Sequence, residues 1–197
     1  MHSTLLSSKL GVIIVSIGLL LVASSYAKSA EIEGVVFANE IQASEDPSHL
    51  LRVHGMGLLR YRVVFRGYVA ALYLPDGIPG ERALEDVPRR LELSYFWSIA
   101  GSDFARAANQ LLARELTTTQ LASLRPRIDD LHRSYKDVRP DDRYSLTYLP
   151  SVGTELRLND ELLTTIPGND FAEAYFGIWL GKQPLDVELR DQLLGRS

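Results

Sequence analysis

Val, Leu, Tyr and Phe crowd the stretch from Leu58 to Leu74, with no proline until Pro75, and this composition predicts strand rather than helix. The run is longer than an ordinary strand, so a bulge, a bend or a hairpin is expected within it, with Gly67 the natural place. Upstream, Glu31 to Phe37 (EIEGVVF) predicts a short strand, Ala43 to His49 a polar turn, and Leu50 to Val53 the approach to the central block. Downstream, Pro75 to Arg90 carries enough proline and glycine to be a surface connection with at most one helical turn. Leu91 to Trp97 and Arg143 to Leu149 predict two more strands, and Glu155–Leu158 and Glu161–Ile166 a hairpin turning on Asn159-Asp160, residues that tolerate positive φ.

Helical periodicity occupies the remaining segments. Ser102–Leu116 places Phe104, Ala108, Leu111 and Leu112 near one face, with Ser102 or Asp103 as N-cap. Gln120–Lys136 predicts a helical stretch broken at Pro126, where a new helix would start. Asp170–Leu180 predicts a helix capped by Asp170, with Phe171, Tyr175, Ile178 and Trp179 along one stripe, ended by Gly181; a last short helix opens at Pro184. There is no βαβ alternation, no internal repeat and no phosphate-cradling loop, since Gly55-Met56-Gly57 is half a fingerprint and leads into strand. The order predicts an α+β fold, an antiparallel sheet with helices on one face.

The first 27 residues change the picture of where this fold works. Lys9, the apolar run Leu10–Ala23 and the small-residue exit to Ala27 read as a secretory signal peptide cut after Ala27, too short for a membrane span. The retained anchor is the alternative. A single domain over 28–197, periplasmic or secreted, is expected, with no stable membrane span after cleavage. Cysteine is absent, which excludes disulfides and thiolate chemistry. The net charge is −4, and losing Lys9 takes it to −5, against nucleic-acid binding. His49, His54 and His132 pair with no carboxylate at a metal-site spacing, and no cofactor or metal is expected. Any protein partner is left open.

Three arginines stand out in the central block. Arg60, Arg62 and Arg66 share a parity in a regular strand, opposite to Leu59, Tyr61, Val63 and Phe65. They either form the solvated outer face of a sheet or turn inward to grip an anion with the planar guanidinium fork. An unbroken strand would hold Arg60 roughly 26 Å from Tyr68, so the two meet at one ligand only if the chain folds back.

The early EGVVF, the GMGLLRYRVVFRGYVAALYLP block, the NDELLTTI hairpin and GNDFAEAYFGIWLGKQPLD together resemble the chalcone isomerase-like superfamily, in its bacterial exported branch, over nearly the whole chain after the leader. The resemblance implies an open-faced sandwich, a curved antiparallel sheet covered on one face by helices. It also implies one of two activities, cyclisation of chalcones or non-catalytic binding of fatty acids. In the binding relatives an arginine after a glycine pair and a tyrosine in the next strand hold the ligand carboxylate, positions resembling Arg60 and Tyr68. Two leucines separate Gly57 from Arg60, which leaves Arg62 as the other candidate. The plant enzymes carry threonine in the place of Tyr68 and a tyrosine where this chain has Phe104, and both departures count against cyclisation. The expectation is a protein that binds a small amphipathic carboxylate, such as a fatty acid, through an inward Arg60 helped by Tyr68. An intramolecular lyase and a pocketless interaction module are the alternatives.

Overall fold

A computed structural model describes residues 29–61 and 65–196. The expected leader and its cut site lie outside the described residues, and so does Arg62.

Strands β1 (Ser29–Ile32) and β2 (Val35–Ala38) form a small antiparallel ribbon of their own. The single strand expected over Glu31–Phe37 is thus a hairpin. Glu33 (φ 52°) and Gly34 (φ 81°) both take left-handed backbone, the conformation that lets two residues reverse a twisted strand pair. Seven further strands make the main sheet: β3 (Glu40–Gln42), β4 (Leu50–Tyr61), β5 (Phe65–Leu74), β6 (Arg89–Tyr95), β7 (Arg143–Leu149), β8 (Gly153–Leu158) and β9 (Glu161–Ile166). They lie in sequence order and every neighbouring pair is antiparallel. Helices α1 (Gly101–Glu115) and α2 (Thr118–Ser134) are inserted between β6 and β7, and α3 (Asn169–Leu180) and α4 (Val187–Leu193) follow β9.

Alternation sorts the side chains to two faces. The register aligns Leu72, Leu91, Leu146 and Leu156 across four strands, and all four are buried in the larger core shared with the helices. On the opposite face Val69, Ala71 and Tyr73 pack with Phe37 and Leu51 in a smaller core closed by the β1–β2 ribbon. The fold is α+β, a curled antiparallel sheet with its helices gathered on one face.

The long central run proves to be two strands, β4 and β5, folded against each other. Gly67 lies in an irregularity of this pair: Leu59 faces Tyr68, while Arg60 faces Arg66. The extra residue turns Arg66 to the same side as Arg60. Gly55 and Gly57 have a packing role. A Cβ on Gly55 would stand 2.4 Å from the carbonyl oxygens of Gln192 and Leu193, and one on Gly57 2.7 Å from Leu189, so the pair lets α4 lie directly on β4.

Several helix ends differ from expectation. Ala100, not Ser102 or Asp103, occupies the N-cap of α1, and Asp137 accepts from the Gly101 amide at 2.9 Å instead. Helix α2 starts at a capping box of Thr117 and Gln120 and runs unbroken through Pro126. Both Pro126 and Ala122 are exposed, so the carbonyl deprived of its partner lies on the solvent side of the helix. Gly168, at φ 103°, caps α3, which frees Asp170 to take a two-pronged pair with Arg127. Helix α4 is capped by Asp186 rather than opened by Pro184.

Candidate functional site

A cavity of about 280 Å³ lies between the sheet and helices α1 and α3. The sheet contributes Leu59, Tyr68, Leu93 and Tyr95; α1 contributes Phe104, Ala108 and Leu111; α3 contributes Ile178 and Trp179. Tyr135, just past α2, completes the wall. The rings form a continuous belt, with Tyr68 edge-on to Tyr95 at 5.6 Å, Tyr95 edge-on to Phe104 at 5.4 Å, and Phe104 tilted by 33° against Tyr135 at 5.3 Å. Such spacings suit the ring quadrupoles and hold the wall stiff.

Two hydroxyl arrangements give this apolar space its polarity. The Tyr68 hydroxyl accepts from Trp179 Nε1 at 2.8 Å, which leaves its own proton free to donate. Tyr135 and Tyr175 share a hydrogen bond at 2.8 Å, and Tyr175 in turn meets His132 Nε2 at 3.1 Å. Burial raises the Tyr68, Tyr135 and Tyr175 hydroxyls above the usual phenol range, so they remain neutral donors. The described lining residues include no arginine or lysine, and the one charged side chain among them is Asp103.

Arg60 does not face this cavity. Tyr68 points into it with its cross-strand partner Leu59, while Arg60, one residue on, points to the opposite face. There Arg60 is 52% exposed and lies 3.6 Å from Glu33, which also pairs with Arg66 at 3.3 Å. The chain does fold back between Arg60 and Tyr68 as a shared site would need, but the thickness of the sheet separates the two groups. The inward guanidinium expected from sequence is corrected to an outer-face ion pair that ties β4 and β5 to the β1–β2 turn. Phe104 sits in the cavity wall, its ring 5.4 Å from that of Tyr144. Sequence reasoning missed Tyr95 and Tyr135, which reach the cavity from strand and loop positions carrying no motif. Of the helical stripe Phe171, Tyr175, Ile178 and Trp179 read from the sequence, Ile178 and Trp179 line the cavity.

The His132 link sets a pH dependence. Burial lowers the imidazole from 6.5 to about 4. A base depressed in the folded state favours folding while neutral, so this contribution is present above pH 6.5 and is lost as pH falls towards 4. The full shift corresponds to about 3 kcal/mol, and partial exposure brings it to about 1–2 kcal/mol. Urea denaturation across this range should show that slope, and His132→Gln should flatten it. An unchanged slope in the variant would remove His132 from the account.

Comparison with known proteins agrees with this architecture. A crystal structure of an Arabidopsis thaliana fatty-acid binding protein superposes with a TM-score of 0.63 at 13% identity, covering 85% of this chain and 96% of that one. An uncharacterised protein of Haemophilus influenzae is 28% identical over 135 residues, 68% of this chain; the match spans 63% of that relative's length. Residues 29–195 match the family described as chalcone isomerase-like. This chain therefore belongs to the chalcone isomerase-like family.

Proposed function

We propose that the protein binds a small amphipathic molecule, a medium-chain fatty acid or a neutral molecule of similar shape, with its hydrocarbon in the cavity and its oxygen at the Tyr68 hydroxyl. One observation carries this reading: a nearly wholly apolar, aromatic-walled cavity with an uncommitted hydroxyl proton in its wall. The fold neighbour described as a fatty-acid binding protein supports the same class of ligand. The size, about 280 Å³, stands at the lower edge of the ~300–1000 Å³ usual for ligand pockets and favours short tails. Affinity comes from the tail, at about 0.8 kcal/mol per methylene. With Arg60 on the other face, no described cation grips a carboxylate, and an alcohol of equal chain length should bind at least as tightly as the acid. The leader expected at the N-terminus supports a periplasmic or secreted setting, and Phe104 and Tyr68 support a non-catalytic role.

Protein purified without detergent and loaded with decanoate should carry one molecule by native mass spectrometry. Tyr68→Phe should weaken binding about tenfold, the value of one hydrogen bond. It should also cost about 1–2 kcal/mol of stability, because Trp179 Nε1 loses its acceptor. Arg60→Ala should leave the dissociation constant unchanged. A loss in Arg60→Ala equal to that in Tyr68→Phe would place the site on the other face of the sheet.

A further inference from the structure

The opposite face of the sheet holds a second cavity, of about 360 Å³, with the reverse chemistry. Its walls come from three adjacent strands: Tyr73 on β5, Arg90 and Glu92 on β6, and Arg143 and Ser145 on β7, with Asp160 at the β8–β9 turn. The register places Tyr73 opposite Arg90 and Glu92 opposite Ser145, so these groups stand side by side on one face. Glu92 bridges the two guanidiniums, at 3.1 Å from Arg90 and 2.7 Å from Arg143. Arg143 is further fixed by donating to the Val36 carbonyl at 2.8 Å and by lying over the Phe37 ring at 4.9 Å. The β1–β2 ribbon thus holds one wall in place.

Two buried donors in this wall have no partner. Tyr73 is wholly buried and its hydroxyl makes no hydrogen bond; Arg90 Nε is buried and unpaired in the same way. A buried donor left empty costs about 1–3 kcal/mol, and both members of this pair line the same space. Two arginines face one buried carboxylate, and Asp160, 92% exposed, is screened by solvent. In the buried part of the wall two cations thus stand against one anion, while Asp160 meets Arg90 at 3.8 Å from the exposed rim.

We propose that this outer cavity is a binding site for a small carboxylate monoanion, its oxygens accepting from Tyr73 Oη and Arg90 Nε. A single negative charge matches the wall, and a carboxylate brings the acceptor oxygens that both donors lack. The site is separate from the apolar cavity, which lies across the sheet.

Acetate is the probe, with chloride at matched ionic strength as the control. NMR of the arginine Nε–H resonances should show one signal shifting saturably with acetate and not with chloride, and Arg90→Lys should delete that signal. Tyr73→Phe, which keeps the ring and removes only the unpaired hydroxyl, should stay folded by circular dichroism and bind acetate at least tenfold more weakly. Arg90→Lys, read by calorimetry, should show a comparable loss. Absence of a saturable shift, an equal response to chloride, or unchanged affinity in both variants would overturn the proposal.

Discussion

Ala108→Phe is expected to weaken decanoate and decanol binding more than a hundredfold while the protein stays folded. Ala108 is 6% exposed and lines the apolar cavity from α1, so a benzyl group there grows into space now empty. Excluding about four methylenes of the ligand, at about 0.8 kcal/mol each, removes about 3 kcal/mol of binding, which is over two decades in the dissociation constant. Filling an existing hollow differs from overpacking a dense core, so thermal stability should hold or rise. Isothermal titration with wild type and variant checks this. Equal affinities would show that the ligand, if any, sits elsewhere.

Arg89→Ala is expected to destabilise the fold by about 3–5 kcal/mol. Arg89 is wholly buried at the start of β6, where its guanidinium lies between the rings of Tyr148 at 4.5 Å and Phe176 at 4.7 Å. Its Nη1 donates to the carbonyls of Glu85 and Val87 at 2.6 and 3.2 Å, which pins the loop before β6 against α3. Alanine would leave a hole between two rings and strip the carbonyls of their donor. Burial pulls this guanidinium down to about 10, so it is still charged at neutral pH, and its Nε and Nη2 lack partners. Much of its contribution is therefore packing rather than charge, and Arg89→Met should cost less than half as much as alanine. Denaturant unfolding measures both, and a loss below about 1 kcal/mol for alanine would contradict this account. Because α3 also carries Trp179, loosening Arg89 should blunt ligand binding as well.

The contrast between sequence and structure is sharpest around Arg60. Strict alternation put Arg60, Arg62 and Arg66 on one side, and the solvated outer face was one of the two choices; Arg60 and Arg66 do occupy it. The interruption expected at Gly67 is present as the irregularity of the β4–β5 pair; what the strand pattern did not place was the reversal between Tyr61 and Phe65, and the two together decide face and neighbour. The Asn159-Asp160 hairpin was legible because turn chemistry is local: both residues take positive φ, 48° and 68°. The Glu33-Gly34 turn needs the same backbone, but glutamate is no signature of it. Pro126 misled for a related reason, since a proline on the exposed side of a helix leaves its orphaned carbonyl to water. Tyr68 was found through a motif, whereas Tyr95 and Tyr135 reach the cavity only through the order of strands and helices. Tyr73 carries no motif that sets it apart from the other tyrosines of the central block. Its missing hydrogen-bond partner is a fact of three dimensions.

The proposed function requires the hydrocarbon of an amphipathic ligand to occupy the hollow beside Trp179. With Trp97→Phe, Trp179 becomes the sole tryptophan of the chain, and its fluorescence during titration with decanol reads that hollow directly. A saturable one-to-one change that disappears in the Trp97→Phe, Ala108→Phe double variant is the predicted result; a flat titration, or the same change with the hollow filled, would contradict it.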